Sequence, residues 1–333
     1  MPAYLTHYAC GLMGYRSLPQ GELKKIIRRH ASVYNMGLAG PDLFFYSLWE
    51  IATKSEPVGR VMHKYRTGRF LQSLLEEVLD LREERSEEER SEKADRDYER
   101  ALAYFSGFLG HYCLDSRAHA LVYRACDHPD SRVALGKHFR YEAAMDAMCC
   151  HELLGRNIKK SHQLGLLRLS AHDRKVIARI LSRALTRTYG EEMGTPSGIR
   201  LRLILKEYYL ISTLITDPTG FKEWLFEKAE RRMPGYPFAS PLFINDNRYG
   251  LGQKDWERFH ARFRRGERAL CRSFRKLSAL AEAVGKDASA QSVRALEGDL
   301  LREAGSWSFH GMHLPEASSD QPLEVLTGHS LKK

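Results

Sequence analysis

Long apolar runs, a secretion signal and a cysteine framework are all missing from this sequence of 333 residues. No apolar stretch reaches the roughly 20 residues that a membrane-spanning helix needs, so no transmembrane segment is expected. The first residues, Met-Pro-Ala-Tyr-Leu-Thr-His, have neither a basic segment nor an apolar core, so they do not resemble a signal peptide. The six cysteines follow no CxxC or framework spacing, which indicates reduced, buried thiols. These absences predict a cytoplasmic protein.

The alternation of apolar and polar residues that is typical of half-buried β-strands persists nowhere along the chain. Helical periodicity is frequent instead, and it predicts an all-α protein with a multi-helix domain. The predicted helices cover residues 22–34, 67–81, 99–121, 131–154, 171–189, 196–217, 221–231, 254–285 and 288–304.

Composition also indicates how the chain is divided. Residues 1–215 are predicted to form the main domain, 216–314 a helical extension and 315–333 a disordered tail. A mixed-charge run at about 80–98 has few apolar residues and is expected to be a solvated insertion. A stretch rich in Pro, Gly and Asn at 233–253 is expected to be a loop. The formal net charge of +10 favours anionic partners, such as an acidic membrane surface or nucleic acid.

One apolar segment carries polar residues in helical register. Within the predicted helix 99–121, His111, Asp115 and His119 follow one another at intervals of four, so they share one face. Burying an unpaired polar group costs about 1–3 kcal/mol, so this polar stripe needs partners inside the protein. A bound metal ion is the simplest such partner.

Further candidate ligands lie before and after this helix. His138 and Glu142 repeat the spacing of four, and Pro41 places Asp42 in a tight Gly-Pro turn. The full set of candidates is His7, Asp42, His63, His111, Asp115, His119, His138 and Glu142. Imidazole and carboxylate groups suit Zn²⁺, but one zinc ion takes only about four ligands. The set therefore predicts a cluster of two or three zinc ions with a bridging carboxylate, which is typical of phosphate ester hydrolysis.

A purely structural interpretation remains open at this point. Pairs of the HxxxD or HxxxE type also arise by chance on helices, and Asp42 could simply cap the segment that follows Pro41. The number of such residues in the first 142 positions favours metal binding over chance.

In their order and spacing, these residues resemble the zinc-dependent phospholipase C family, which shares its fold with P1-type nucleases. The resemblance extends to about residue 150 and implies the family's all-α fold and a zinc-dependent phosphoric ester hydrolase. It rests on the early His7, Gly-Leu-Ala-Gly-Pro-Asp-Leu-Phe-Phe-Tyr with Asp42, His63, Phe-Leu-Gly-His-Tyr-Cys-Leu-Asp-Ser-Arg-Ala-His with His111, Asp115 and His119, and the pair His138 and Glu142.

The resemblance also implies a role for each candidate ligand. It assigns to a first zinc ion Asp42, His63, His111 and Asp115. It assigns to a second ion His119, His138 and Glu142. A third ion would be held by His7 together with Asp115, which bridges. Asp42 would in addition be the catalytic residue that activates the attacking water.

Two departures from the family pattern affect what the resemblance implies. Secreted members complete the third zinc site with an N-terminal tryptophan, whereas this chain begins with Met1 and Pro2. We therefore predict two zinc ions, and a third only if the first residues complete its site. Toxin-type members carry a C-terminal β-sandwich that binds lipid, whereas residues 220–333 have helical periodicity.

Three hypotheses for function follow. The first is phospholipase C-type hydrolysis of a phospholipid or a related phosphodiester. The second is a P1-like nuclease acting on single-stranded nucleic acid, which the positive charge favours slightly. The third is a non-catalytic helical protein that keeps metal sites for stability.

Overall fold

The computed structural model of the protein describes residues 4–53, 58–83, 92–158, 166–193, 195–232 and 251–309. These residues are mostly helical and contain no β-strand, which confirms the predicted all-α class. Four predictions fall wholly or partly outside the described residues. They concern the middle of the charged insertion, the loop at 233–253, the C-terminal tail, and the part of Met1 and Pro2 in a third zinc site.

The helices follow one another with short connections. The first five are α1 (Tyr4–Ser17), α2 (Glu22–Arg29), α3 (Ala31–Gly37), α4 (Leu48–Thr53) and α5 (Val58–Lys64), with a 3-10 helix, Gly40–Tyr46, between α3 and α4. The others are α6 (Thr67–Glu83), α7 (Glu92–Cys126), α8 (Ser131–Leu154), α9 (Ala171–Tyr189), α10 (Gly198–Ile215), α11 (Phe221–Glu230), α12 (Gln253–Gly285) and α13 (Ala290–Ala304). A 3-10 turn, Gly190–Met193, follows α9.

Most predicted helices occur within a few residues of their expected bounds, but the one predicted at 22–34 is wrong. It is broken at His30, whose backbone leaves the helical region with φ −114° and ψ 42°. His30 Nε2 lies 3.0 Å from Glu99 Oε2 of α7, so a contact distant in sequence accompanies the break. The predicted insertion at 80–98 is helical at both ends, because α6 continues to Glu83 and α7 begins at Glu92.

The long helix α7 lies at the centre of the fold and packs against α1, α3, α6, α8 and α12. Its approach to α3 is unusually close. A Cβ atom on Gly107 would overlap the carbonyl oxygen of Tyr34, and one on Gly37 would overlap the carbonyl oxygen of Tyr104. Glycine at both positions lets the two backbones touch, which brings the turn after α3 against the polar face of α7.

The C-terminal helices share the core of the main domain. α12 lies along α7 and α1, and it buries Phe263 and Phe274 completely. The predicted boundary at residue 216 stays a prediction. Within the described ranges, no helix combines the length and the apolarity needed to cross a membrane.

Candidate metal centre

Five elements bring the eight predicted ligands together. α7 contributes His111, Asp115 and His119 from one face, as their spacing predicts. The other five come from α1 (His7), the 3-10 helix (Asp42), α5 (His63) and α8 (His138 and Glu142). Three groups have ligand atoms within 4.8 Å of one another and could each hold a metal ion: His7, Asp42 and His111; His63, His111 and Asp115; and His119, His138 and Glu142.

Asp115 lies at the centre of the cluster and is 4 % exposed. Its Oδ1 lies 3.5 Å from His7 Nε2. Its Oδ2 lies 3.7 Å from His111 Nε2 and 3.8 Å from His63 Nε2. His119 Nδ1 lies 2.9 Å from both oxygens. Both carboxylate oxygens therefore face imidazoles, and Oδ1 and Oδ2 each face at least one that the other does not, as the oxygens of a bridging ligand do.

Asp42 and His63 form the more open side of the cluster. Pro41 stands in the first turn of the 3-10 helix and fixes the backbone before Asp42. The Asp42 side chain is not a helix cap, because the N-cap residue is Ala39 and no side chain caps this helix. Its Oδ1 instead lies 3.1 Å from His63 Nε2. The interpretation of Asp42 as a helix cap is therefore wrong.

Backbone carbonyls orient two of the histidines. His63 Nδ1 donates to the Gly59 carbonyl at 2.5 Å, and His111 Nδ1 donates to the Leu38 carbonyl at 3.1 Å. Because a carbonyl oxygen can only accept, each Nδ1 must carry the proton. The neutral ring then presents a lone pair at Nε2 toward the cluster, as metal-binding histidines do.

Four histidines of the cluster each have one buried ring nitrogen that lacks a hydrogen bond within the described part of the chain. These nitrogens are His63 Nε2, His111 Nε2, His119 Nε2 and His7 Nδ1. A buried nitrogen without a partner costs free energy, so four of them in one place need a common explanation. The three Nε2 atoms lie close to carboxylate oxygens but do not form hydrogen bonds with them. Such a set of imidazole and carboxylate ligands fits a zinc ion.

The charges in the cluster support the same interpretation. Burial opposes the charged forms, but the carboxylate of Asp115 outweighs burial and raises the pKa of His119 to about 9. The pKa of Asp115 is in turn held well below its usual range by His119 and His7. Burial and the neighbouring His7 lower the pKa of His111 to about 3, so that ring is neutral. Without a metal ion, protons bound to histidines balance the negative charge of the carboxylates. Bound zinc ions would take the place of these protons.

The third group closes one end of the cluster. His138 Nε2 lies 3.0 Å from Glu142 Oε1, and His119 Nε2 lies 3.9 Å from the same oxygen. A cavity of about 20 Å³ lies beside this group, lined in part by His7, Asp115, His119 and Glu142. A cavity of that volume has room for about one water-sized sphere.

Two residues near the cluster were not predicted from the sequence, although both continue the four-residue spacing of the predicted ligands. Tyr123 continues the series 111, 115, 119, and its ring stacks on His119 at 4.6 Å. Asp146 continues the series 138, 142 and is 2 % exposed. Its carboxylate accepts hydrogen bonds from Leu5 N and Thr6 N, at the start of the helix that carries His7.

A third missed residue, Phe309, comes from the far end of the described chain. Its amide donates to the His63 carbonyl at 2.9 Å. Its ring lies 4.7 Å from the His63 ring and 5.5 Å from the His111 ring. Thr67 and Tyr112 hold the preceding residues through hydrogen bonds to the carbonyls of Trp307 and Gly305. The C-terminal segment thus forms an apolar wall of the cluster.

The fold and this cluster define a class: an all-α protein whose buried imidazoles and carboxylates could hold metal ions. The family model for zinc-dependent phospholipase C matches residues 6–194, more than half of the chain and the whole range of the eight ligands. The chain therefore belongs to the zinc-dependent phospholipase C family. No curated protein and no solved structure matches it.

Proposed function

We propose that this chain is a zinc-dependent phosphoric ester hydrolase that cleaves phospholipids in the manner of a phospholipase C. The observation that carries the proposal is the convergence of seven imidazole and carboxylate side chains around Asp115, in a chain of this family. The substrate class comes from the family, and the metal chemistry comes from the donor set.

The geometry supports one division of the ligands. Because one imidazole nitrogen binds one ion, His111 can belong to only one of the two groups that contain it. Asp115 Oδ2 faces both His111 and His63, and His63 also faces Asp42. We therefore assign to a first zinc ion Asp42, His63, His111 and Asp115. A second ion takes His119, His138 and Glu142. His7, which faces Asp115 Oδ1, remains for a third.

Bound zinc would polarise the phosphoryl oxygens and lower the pKa of water at the site. The chain supplies the proton acceptor. The Asp42 side chain is 19 % exposed, more than Asp115 at 6 %, so it is the carboxylate of this pair that substrate can reach more readily.

The reaction would proceed in one displacement. The oxygen of water attacks phosphorus, Asp42 accepts the proton, and the bond from phosphorus to the glycerol oxygen breaks. The glycerol oxygen takes a proton from solvent as it leaves, and Asp42 returns its proton to solvent, giving a diacylglycerol and a phosphorylated head group. Asp42→Asn would keep the size of the side chain but remove both the proton acceptor and the negative charge of one proposed zinc ligand, so the zinc content of this variant is measured alongside its activity.

An assay panel tests the proposal. Zinc-loaded protein should release phosphocholine from phosphatidylcholine and cleave bis(4-nitrophenyl) phosphate. Asp42→Asn should lower both rates by about 100-fold or more. Cleavage of single-stranded DNA alone would establish the nuclease alternative, and no turnover on any phosphoester by protein with full zinc content would establish a non-catalytic protein.

A further inference from the structure

Large apolar side chains are exposed on one surface of the molecule. Six residues of α4 and α10, here called the apolar stripe, are each 51–73 % exposed: Leu48, Trp49, Ile199, Leu203, Leu210 and Leu214. Scattered exposed leucines are ordinary, but a contiguous group of this kind marks a surface that binds something apolar.

The register of α10 makes the stripe continuous. Ile199, Leu203, Leu210 and Leu214 are spaced by four, seven and four residues, so they lie along one face of the helix. The opposite face packs into the core through Leu201, Ile204, Leu205 and Tyr208. The exposed face is therefore a second apolar face of the same helix, and its side chains are not buried in the core.

Two contacts attach α4 to the side of this face. The Leu48 amide donates to Glu207 Oε2 at 3.3 Å, and the Arg200 guanidinium lies over the Trp49 ring at 5.5 Å from its centroid. Positions 200 and 207 are adjacent to the stripe on the helical surface. Leu48 and Trp49 consequently extend the stripe sideways.

The charges around the stripe are mostly positive. Arg202 and Lys206 are exposed on the same side of α10, and the one acidic residue of that helix, Glu207, is buried. The following helix, α11, carries another exposed tryptophan, because Trp224 is 51 % exposed and Lys228 Nζ lies 5.0 Å from its ring centroid. Tryptophan, leucine and basic residues on one exposed side are typical of helices that lie in the interface of an anionic bilayer.

The stripe reaches the candidate metal centre. Phe45 is 39 % exposed, lies three residues before Leu48, and has its ring 5.4 Å from that of His63. Tyr46 packs edge-on against Tyr208, on the core face of α10, so the 3-10 helix of Asp42 is held against the helix that carries the stripe. A surface bound at the stripe would therefore lie next to the open side of the cluster.

We propose that the apolar stripe docks the protein on a lipid bilayer containing anionic phospholipids, and so presents the metal centre to substrate in the membrane. The proposal rests on the proposed function, because docking would serve the hydrolysis of phospholipids in the bilayer. Its evidence is separate: the exposed apolar face, the basic side chains on it and its continuity with Phe45. Apolar burial would supply affinity, and the basic residues would add attraction that salt weakens.

Vesicle binding by the full chain tests the proposal with a readout that is separate from hydrolysis. Zinc-loaded protein is sedimented with vesicles of phosphatidylcholine containing 30 mol% phosphatidylserine, at a concentration that gives about half-maximal binding. Leu203→Glu combined with Leu210→Glu should weaken binding at least about tenfold, because two leucines leave the apolar contact and two negative charges enter it. Trp fluorescence should shift to the blue on binding, and Trp49→Phe should reduce that shift.

A matched control adds the same two charges elsewhere. Ala290→Glu combined with Ala295→Glu changes two exposed residues of α13, and it should leave vesicle binding unchanged. Zinc content and the thermal unfolding midpoint establish that both double variants are folded. An unfolded stripe variant would be replaced by Leu203→Gln with Leu210→Gln, for which a smaller loss in the same direction is expected.

The outcomes separate this proposal from the proposed function. No vesicle binding by protein that hydrolyses a soluble phosphodiester would overturn the docking proposal alone. Vesicle binding that depends on the stripe, without hydrolysis of any phosphoester, would support docking and overturn the proposed function. A dimer that the stripe variant converts to a monomer, with no effect on vesicle binding, would show that a second copy of the chain covers the stripe and would overturn docking.

Discussion

Asp146 holds the first turn of α1 through Thr6. Asp146 Oδ1 accepts hydrogen bonds from the Thr6 amide at 2.8 Å and from the Thr6 hydroxyl at 2.6 Å. His7 is the next residue, and Asp146 lies one helical turn after Glu142 on α8. The same contact therefore joins the helix of one proposed ligand to the helix of two others.

Removing this contact should loosen α1. Asp146→Ala leaves the Thr6 donors buried without their acceptor, so the free energy of unfolding should fall by about 2 kcal/mol or more. The zinc ion that His7 would hold should be lost first. Asp130→Ala is the matched control, because Asp130 is an exposed aspartate that caps α8 through Val133 N and should cost about 1 kcal/mol or less. Urea denaturation of both variants measures the difference, and equal losses would contradict the role given to Asp146.

Gly40 should be required for the position of His111. Its φ is +53°, and a Cβ atom there would overlap the His111 imidazole. Gly40→Ala should therefore displace His111 and lower the zinc content of the purified protein. Gly220→Ala is the control, because Gly220 has φ +75° but nothing within 4 Å of the added atom. That variant should show only backbone strain, about 1–3 kcal/mol, with zinc content unchanged.

Phe309 should stabilise the metal centre from outside the range of the family match. Phe309→Ala removes a buried ring from beside His63 and should cost about 3–5 kcal/mol of unfolding free energy. It should also weaken zinc binding, because the ring of His63 loses its packing. Phe221→Ala changes a phenylalanine that is 60 % exposed, and it should change stability by no more than about 0.5 kcal/mol. Full zinc affinity in Phe309→Ala would show that the wall is not needed.

Glu50 should make stability depend on pH. Burial raises the pKa of Glu50 from 4.5 to about 7, although Arg200 opposes the shift. The folded state therefore binds this proton more tightly than the unfolded state, so the stabilisation is present below pH 4.5 and is lost as pH rises through about 7. Relative to Glu50→Gln, the wild type should lose about 2 kcal/mol between pH 5 and pH 8. Parallel curves for the two proteins would contradict this.

Helical spacing allowed much of the fold and of the candidate site to be predicted. His111, Asp115 and His119 share a face because they belong to one helix, and that is visible in the sequence. Asp146 and Tyr123 continue the two series at the same interval of four residues. They were not predicted, because neither was needed to complete the set of candidate metal ligands. The four-residue spacing alone would have placed both residues on the ligand-bearing faces of their helices.

Other features depend on contacts between distant parts of the chain. The break at His30 accompanies its contact with Glu99, and Phe309 reaches His63 only because α12 and α13 return the chain to α7. The carbonyls of Leu38 and Gly59 that orient two histidines have no residue-specific signal, since every residue has a carbonyl. The exposed face of α10 is apolar in sequence, and only the packing of its other face distinguishes it from core.

Metal analysis of the purified protein decides whether Asp115 bridges metal ions. The wild-type chain, purified without chelator, should contain two or more zinc ions. Asp115→Ala should lose them and also lose hydrolysis of bis(4-nitrophenyl) phosphate, with circular dichroism used to establish that the variant is helical. A folded wild-type chain that binds no zinc when the metal is supplied, or an Asp115→Ala variant with full zinc content and activity, would contradict a metal centre bridged by Asp115.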